Sequence, residues 1–138
     1  MRRFIFLTSV LFSVFGFQSI SSAFVVDRFS RPKEVTVQRG KKVRVLGQMD
    51  VDPRGCQILS TPELKLENGG RLGVFTSMTD KIDVNENASV LGRQQCKLSN
   101  VPRLQVFYEA KESGTEDVSI LINMRGWYER YSFRLTVK

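Results

Sequence analysis

The last third of the chain decides the fold, in residues 103–137, RLQVFYEAKESGTEDVSILINMRGWYERYSFRLTV. Apolar and polar positions alternate through three segments of this stretch, near 103–109, 117–124 and 131–137. The apolar positions that share a face are Leu104, Val106 and Tyr108, then Val118, Ile120, Ile122 and Met124, then Tyr131, Phe133, Leu135 and Val137. Alternation with a period of two indicates strands with one buried face, so we predict one antiparallel meander or part of one sandwich sheet.

Shorter segments upstream follow the same period. Val35 and Val37 precede a predicted turn at residues 39–41, and alternation resumes at Val43 and Val45. Asn68-Gly69-Gly70 is a strong turn signal, which predicts a hairpin over residues 63–76. Residues 24–33 are expected to form either a first edge strand or a loose arm. No segment shows helical periodicity, so we predict an all-β fold, an antiparallel two-sheet β-sandwich.

A family resemblance sharpens this prediction. The residues VFYEA at 106–110, followed by GTED at 114–117 ahead of the strand at 118–124, resemble the end of bacterial immunoglobulin-like and cadherin-like domains. Those domains typically carry Val-x-Tyr-x-Pro, a short loop with glycine, and Gly-x-x-Asp before the penultimate strand. Here Ala110 stands in place of the proline, and the loop is shorter. The resemblance implies an immunoglobulin-like sandwich with a binding or spacing role.

The N-terminus has the three parts of a secretion signal. Arg2 and Arg3 precede an apolar run of 14 residues at 4–17, and the small residues Ser21 and Ala23 follow. A membrane anchor is the alternative, but a span needs about 20 apolar residues. We therefore predict a cleaved signal peptide over residues 1–23 and an exported domain, periplasmic or extracellular, over residues 24–138, with no transmembrane segment in the mature chain.

The composition of that mature domain limits its partners. It has 19 Lys and Arg against 14 Asp and Glu, a balance of +5, because Arg2 and Arg3 leave with the signal. This modest charge favours anionic neighbours but does not indicate a nucleic-acid partner. An even number of cysteines behind a secretion signal predicts one disulfide, between Cys56 and Cys96. Closing that loop would stabilise the fold by about 4 kcal/mol.

The residues that carry most enzyme chemistry are sparse. The chain has no histidine, which excludes histidine-based triads and histidine-ligated metal sites. Two acidic pairs, Asp50 with Asp52 and Glu116 with Asp117, could hydrolyse a glycoside, but each fits a turn or a strand end better. We expect no enzyme activity and no cofactor.

An alternating acidic and amide run at residues 83–87 resembles part of a calcium loop. Position 88 is Ala88 and position 94 is Gln94, where such a loop needs glycine and glutamate. We therefore expect no metal. Asn87 lies in a glycosylation sequon, which matters only in a eukaryotic source.

The candidate ligand-binding residues lie between the last two predicted strands. They are Arg125, Trp127, Tyr128 and Arg130. Aromatic and guanidinium groups on one loop suit sugar or peptide recognition. In the alternative interpretation, Trp127 folds back and caps the sandwich. A second basic group, at Arg39, Lys41, Lys42 and Arg44, is typical of a charged edge that resists aggregation.

These features favour a non-catalytic module that recognises another macromolecule, a protein or an anionic polysaccharide, at the cell envelope. One alternative is a structural or assembly subunit that acts through pairing at a sheet edge. A small secreted enzyme or an enzyme inhibitor is the other.

Overall fold

A computed structural model describes residues 23–52, 54–84 and 97–138, and all regular structure in these ranges is β. Ten strands follow one another along the chain. They are β1 (Val25–Asp27), β2 (Lys33–Val37), β3 (Lys42–Gln48), β4 (Asp50–Asp52), β5 (Gln57–Ser60), β6 (Glu63–Asn68), β7 (Gly73–Val84), β8 (Leu98–Ala110), β9 (Gly114–Met124) and β10 (Trp127–Val137).

Two principal sheets and one small hairpin contain these strands. The five-stranded sheet has the order β1-β10-β9-β6, and β2 pairs with β10 on the same side as β1. The three-stranded sheet has the order β3-β8-β7, and β4 pairs only with β5. The prediction of an all-β chain with more than one sheet is confirmed. It was wrong to expect antiparallel pairing throughout, since β1 and β2 both run parallel to β10.

The predicted meander of three consecutive strands is wrong. β9 and β10 pair over their full length, from Trp127 opposite Met124 to Val137 opposite Gly114. β8, however, lies in the other sheet, between β3 and β7. Alternation shows which face of a strand is buried but not which strand lies beside it. The apolar faces of β8 and β9 belong to different sheets and contribute to one shared core.

The predicted hairpin over residues 63–76 is wrong for the same reason. β6 pairs with β9 and β7 pairs with β8, so the turn after Asn68 carries the chain from one sheet to the other. Gly70 adopts a φ of 75° in this turn. The carboxylate of Glu116 accepts hydrogen bonds from the backbone N–H groups of Arg71, at 2.7 Å, and Leu72, at 3.0 Å. These bonds hold the crossover against β9.

The main core lies between the two principal sheets. Six side chains predicted to be inward are all buried, which confirms the phase of the alternation; they are Val106, Tyr108, Ile120, Ile122, Phe133 and Leu135. Phe75 of β7 packs against Tyr108 with 5.0 Å between ring centroids. Burial of such side chains supplies most of the free energy of folding.

The N-terminal segment forms an edge strand in two pieces. Between β1 and β2, Phe29 turns into the core and meets Tyr131 and Phe133 edge-on, with centroid distances of 5.4 and 5.9 Å. An anchored aromatic of this kind distinguishes an edge strand from a loose arm. Residues 1–22, which hold most of the proposed signal peptide, lie outside the described part of the chain.

A second, smaller core supports the β4–β5 hairpin. Val51 packs with Val84 and Val101, at the far end of β7 and the start of β8. Cys56 lies in the β4–β5 turn with a φ of 49°. Cys96 lies outside the described residues, so the disulfide stays a prediction. No helix in the described ranges is long and apolar enough to cross a membrane.

Candidate binding surface

The segment predicted to be a recognition loop is a two-residue hairpin turn. Arg125 and Gly126 occupy it with φ values of 58° and 89°, and Met124 is already paired with Trp127. Two consecutive positive φ values match a type I′ turn, whose twist fits that of the flanking strands. The side-chain oxygen of Asn123 accepts a hydrogen bond from the Gly126 N–H at 3.2 Å. Trp127, Tyr128 and Arg130 therefore lie on β10 itself.

Strand alternation divides the four predicted residues between two faces. Trp127 is in phase with the buried residues Glu129 and Tyr131 and packs partly buried against the core. This placement matches the interpretation in which Trp127 folds back. Tyr128 and Arg130 project from the opposite face of β10. The sequence therefore identified residues that the structure does not bring into one site.

Arg125 fastens the hairpin turn to the β4–β5 hairpin. Its Nε donates to Oδ2 of Asp50 at 2.7 Å, and Asp50 is only 5% exposed. The Ser60 hydroxyl donates to the same carboxylate oxygen. A buried carboxylate with two such donors is well compensated, so Arg125 serves as the counter-ion of Asp50.

A second buried carboxylate joins the two principal sheets beneath the hairpin. Glu129 of β10 is 3% exposed and accepts hydrogen bonds from the Tyr131 hydroxyl and, at 3.2 Å, from the side-chain amide of Gln48 on β3. Arg28 approaches it at 3.7 Å. Burial of the Tyr131 hydroxyl and its bond to Glu129 raise the pKa of Tyr131 above its ordinary value. These contacts connect β10 to β3 across the core.

The outward residues of β10 lie on the face of the five-stranded sheet that points away from the core, which we call the outer face. Arg130 is its central cation. The guanidinium donates to both carboxylate oxygens of Glu67 on β6 at 2.8 Å, and to Asp27 on β1 at 3.0 Å. The bonds from Arg130 hold the pKa of the Glu67 carboxyl below its usual range. One side chain thus connects both edges of this sheet.

Two further cross-strand contacts order the outer face. The guanidinium of Arg134 donates bidentate hydrogen bonds to the two carboxylate oxygens of Asp117, at 2.8 and 3.1 Å. The ammonium of Lys65 lies 5.2 Å from the ring centroid of Tyr128, within cation–π range. The arginines on this face are balanced by carboxylates, so the face has ordered polar groups without a strong net charge.

Positive charges collect at the end of the sandwich that lies away from the β9–β10 turn. We call it the basic end. Backbone hydrogen bonds bring the β2–β3 turn against the ends of β8 and β10. Arg39 N–H donates to the carbonyl of Lys138 at 2.8 Å, and Gly40 N–H donates to that of Ala110 at 2.8 Å. The cations gathered there are Arg39, Lys41, Lys42 and Lys138, together with Lys111, which pairs with Glu109. Arg44, from the same predicted group, lies farther along β3 and bonds to Gln105.

The acidic pairs considered for catalysis have structural contacts. Asp52 accepts the N–H of Arg54 at 2.9 Å, as in an Asx turn. Glu116 holds the β6–β7 crossover, and Asp117 pairs with Arg134. Each carboxylate has a local role in turn or strand geometry.

The calcium and glycosylation predictions concern residues 83–94. Asp83 accepts the N–H of Asn100 at 3.0 Å, and residues 85–96, including Asn87, lie outside the described part. Within the ranges that the structure describes, no group of three or more His, Cys, Asp or Glu residues could hold a metal ion.

Sequence reasoning missed the buried carboxylates and the partners of the outer face. Glu129 did carry a signal, because it falls in phase with Tyr131, Phe133 and Leu135 on the buried side of β10. A charged residue in a core phase predicts buried compensating partners. Gln48 and Glu67 carried no such signal, since they lie more than 60 residues away in sequence.

No protein-family model matches the chain, and no curated protein or solved structure matches it either. The assignment of function therefore rests on the geometry of the surfaces described above.

Proposed function

We propose that this chain is an exported, non-catalytic module of immunoglobulin-like topology that binds a protein partner at the cell envelope through its outer face. The division of strands supports the topology. β3, β8 and β7 lie opposite β10, β9 and β6, which corresponds to the B, E and D strands and the G, F and C strands of an immunoglobulin sandwich.

The observation that carries the proposal is that Tyr128 and Arg130 are neighbouring side chains on the outer face. Tyrosine and arginine are the residue types most often found at energetic centres of protein interfaces. Here the ring is held by Lys65, and the guanidinium is held by Glu67 and Asp27. Groups that are already ordered lose less conformational entropy when a partner binds.

Charge balance favours a protein partner over a polyanion on this face. Arg130 and Arg134 are each matched by carboxylates at 2.8–3.0 Å. A polyanion would have to compete with the carboxylates of these pairs. A protein surface can instead offer both acidic and basic groups to the outer face. Mixed, complementary charge sets orientation and specificity in protein complexes.

The test compares capture of envelope proteins by the wild-type chain and by variants of the outer face. Tyr128→Ala removes the ring, and Leu121→Asp places a charge on the neighbouring outward position of β9. We expect both variants to lose the partner that the wild type captures, as identified by mass spectrometry. Lys81→Ala, an exposed position on the three-stranded sheet, is the control and should retain that partner.

Folding of every variant is checked by thermal denaturation. A partner held equally by the wild type and by both outer-face variants would place the binding site elsewhere on the molecule.

The basic end supports a second candidate function, binding of an anionic polysaccharide. Backbone hydrogen bonds gather its cations at one end. Retention on immobilised dextran sulfate should fall with rising salt, because the attraction is electrostatic. Retention should also weaken in the variant Lys41→Glu. It should not weaken in Lys65→Glu, because Lys65 lies on the outer face. Equal retention of both variants would argue against this role.

A further inference from the structure

We propose that β7 is a self-association edge, through which two copies of this chain pair antiparallel about a two-fold axis at Thr76. This surface lies on the three-stranded sheet, so the inference goes beyond the proposed partner site on the outer face. Among the described residues, only β8 pairs with β7.

The first part of β7 lacks the features that normally protect an edge strand. Residues 73–79, GVFTSMT, contain no charge and no proline, and the only irregularity of β7 lies later, between Ile82 and Val84. Native proteins block exposed edges with charged side chains, proline or bulges, because free N–H and C=O groups pair readily with another strand. An unprotected edge of seven residues is suited to strand addition.

The other edges of the principal sheets are protected. β3 carries Lys42 and Arg44 and a bulge between Arg44 and Leu46. β6 alternates acidic and basic residues at 63, 65 and 67 and has its own irregularity after Leu66. β2 begins with Lys33 and Glu34 directly after a proline. β1 is only three residues long, which itself limits pairing with another strand. β7 is thus the exception among these edges.

The hydrogen-bond pattern identifies which groups of β7 face outward. The carbonyl of Leu72 accepts bonds from Lys111 and Glu112, so it points toward the β8 side. Ala110, the partner of Gly73, directs both its N–H and its C=O toward the β2–β3 turn. Because direction alternates along an antiparallel pair, the outward backbone groups of β7 belong to residues 73, 75, 77 and 79.

These outward groups define a self-complementary register. If Phe75 of one copy pairs with Ser77 of the other, both exchange hydrogen bonds, and Thr76 lies opposite its own equivalent. Val74 then lies opposite Met78, on the same face. These two side chains are 49% and 50% exposed in the single chain, and the register would cover each with the other. Such directly opposite apolar pairs stabilise antiparallel strands.

Two of the acidic groups beside this stretch are neutralised within each chain. Asp80 receives a bond from Arg103 Nε at 3.0 Å, and Glu109 pairs with Lys111. Residues 73–79 themselves carry no charge, so the contact between the two strands over this stretch is uncharged. A single strand pair covers less than the roughly 1,200–2,000 Å² of a standard interface, so the dimer should be weak and reversible.

The experiment measures sedimentation equilibrium of the protein expressed from its full sequence and purified after export, from micromolar to millimolar concentration. We expect a reversible dimer. Thr76→Lys and Thr76→Glu each place like charges opposite one another at the two-fold axis, and each should weaken dimerisation by at least about tenfold. An equimolar mixture of the two variants should restore it, because the lysine then faces the glutamate.

Two further variants separate this edge from general surface effects. Ser77→Pro removes an outward N–H without removing a bond to β8, and it should also weaken the dimer. Thr115→Lys, an exposed position on β9, is the matched control and should dimerise as the wild type does. A wild type that stays monomeric at millimolar concentration overturns the proposal. So does a Thr76→Lys variant that dimerises normally, or a mixture that fails to recover.

Discussion

Glu129 shows how one residue can depart from a strand pattern at little cost. It occupies an inward position of β10, where a lone carboxylate would be costly to bury. The Tyr131 hydroxyl, the Gln48 amide and Arg28 compensate it. The same contacts connect the two principal sheets, so the polar residue adds a specific link where an apolar residue would only pack.

Removing this carboxylate should destabilise the fold more than its size suggests. Glu129→Ala leaves the Gln48 amide N–H without its acceptor and leaves the Tyr131 hydroxyl only its contact with Gln48 Oε1, at 3.2 Å. We expect a loss of about 2–4 kcal/mol in the free energy of unfolding. Glu129→Gln retains an acceptor and should lose less. Urea denaturation measures both, and Glu112→Ala, at an exposed position, is the control. Equal stabilities of Glu129→Ala and the control would contradict this role.

Ionisation of Tyr108 should lower the stability of the fold at alkaline pH. Its burial, and then the charge and hydrogen bond of Glu116, raise its pKa to about 12. A folded pKa above the unfolded value of about 10 stabilises the fold fully below pH 10, and this stabilisation is lost as pH rises toward 12. Denaturation series between pH 9 and pH 12 should show a steeper decline for the wild type than for Tyr108→Phe. Parallel declines would rule out this contribution.

At the scale of elements, the turn of the β9–β10 hairpin requires the backbone conformation of Gly126 and no contact at that position. Gly126 has a φ of 89°, and a Cβ added there would meet no atom within 4 Å. Gly126→Ala should therefore cost only the conformational penalty, about 1 kcal/mol. Gly47→Ala is the matched control, because its Cβ also meets no atom and its φ is ordinary. The difference in melting temperature between the two variants tests this, and no difference would contradict it.

The central strand β9 should be the most sensitive element of the fold. It pairs with both β10 and β6, and Ile120 on it is fully buried. Ile120→Ala should cost about 2–5 kcal/mol. Ser119→Ala, its neighbour on the outer face, loses one exposed bond to Glu67 and should cost under about 1 kcal/mol. Chemical denaturation of both variants provides the comparison, and similar losses would argue against the assigned faces.

At the scale of the whole molecule, export and the disulfide are tested together. We expect mass spectrometry of the chain from its native host to begin at Phe24. The Phe24 carbonyl already accepts the N–H of Tyr128 at 2.8 Å, so cleavage before it would retain this bond to β10. Peptide mapping without reductant should link Cys56 to Cys96. A retained Met1, or two free thiols in envelope-purified protein, would contradict these predictions.

Much of the local structure could be predicted from the sequence, because it depends on period and turn chemistry. The buried phase of β8, β9 and β10 and the turns at Gly40 and Gly70 follow from alternation and glycine. The candidate site was predicted less well. Adjacent residues of one extended segment were grouped together, whereas β10 places Trp127 inward and Tyr128 outward.

The sequence by itself determined the class of fold, the buried face of each of the last three strands, and the positions of the turns at Gly40 and Gly70. These properties depend on neighbouring residues, whose side chains alternate in direction along an extended backbone. The tertiary structure alone decided that β8 and β9 lie in different sheets, that β1 and β2 run parallel to β10, and that Arg130 joins Glu67 to Asp27. Strand pairing and charge pairing depend on residues far apart in sequence, and only the folded arrangement of both sheets brings them together.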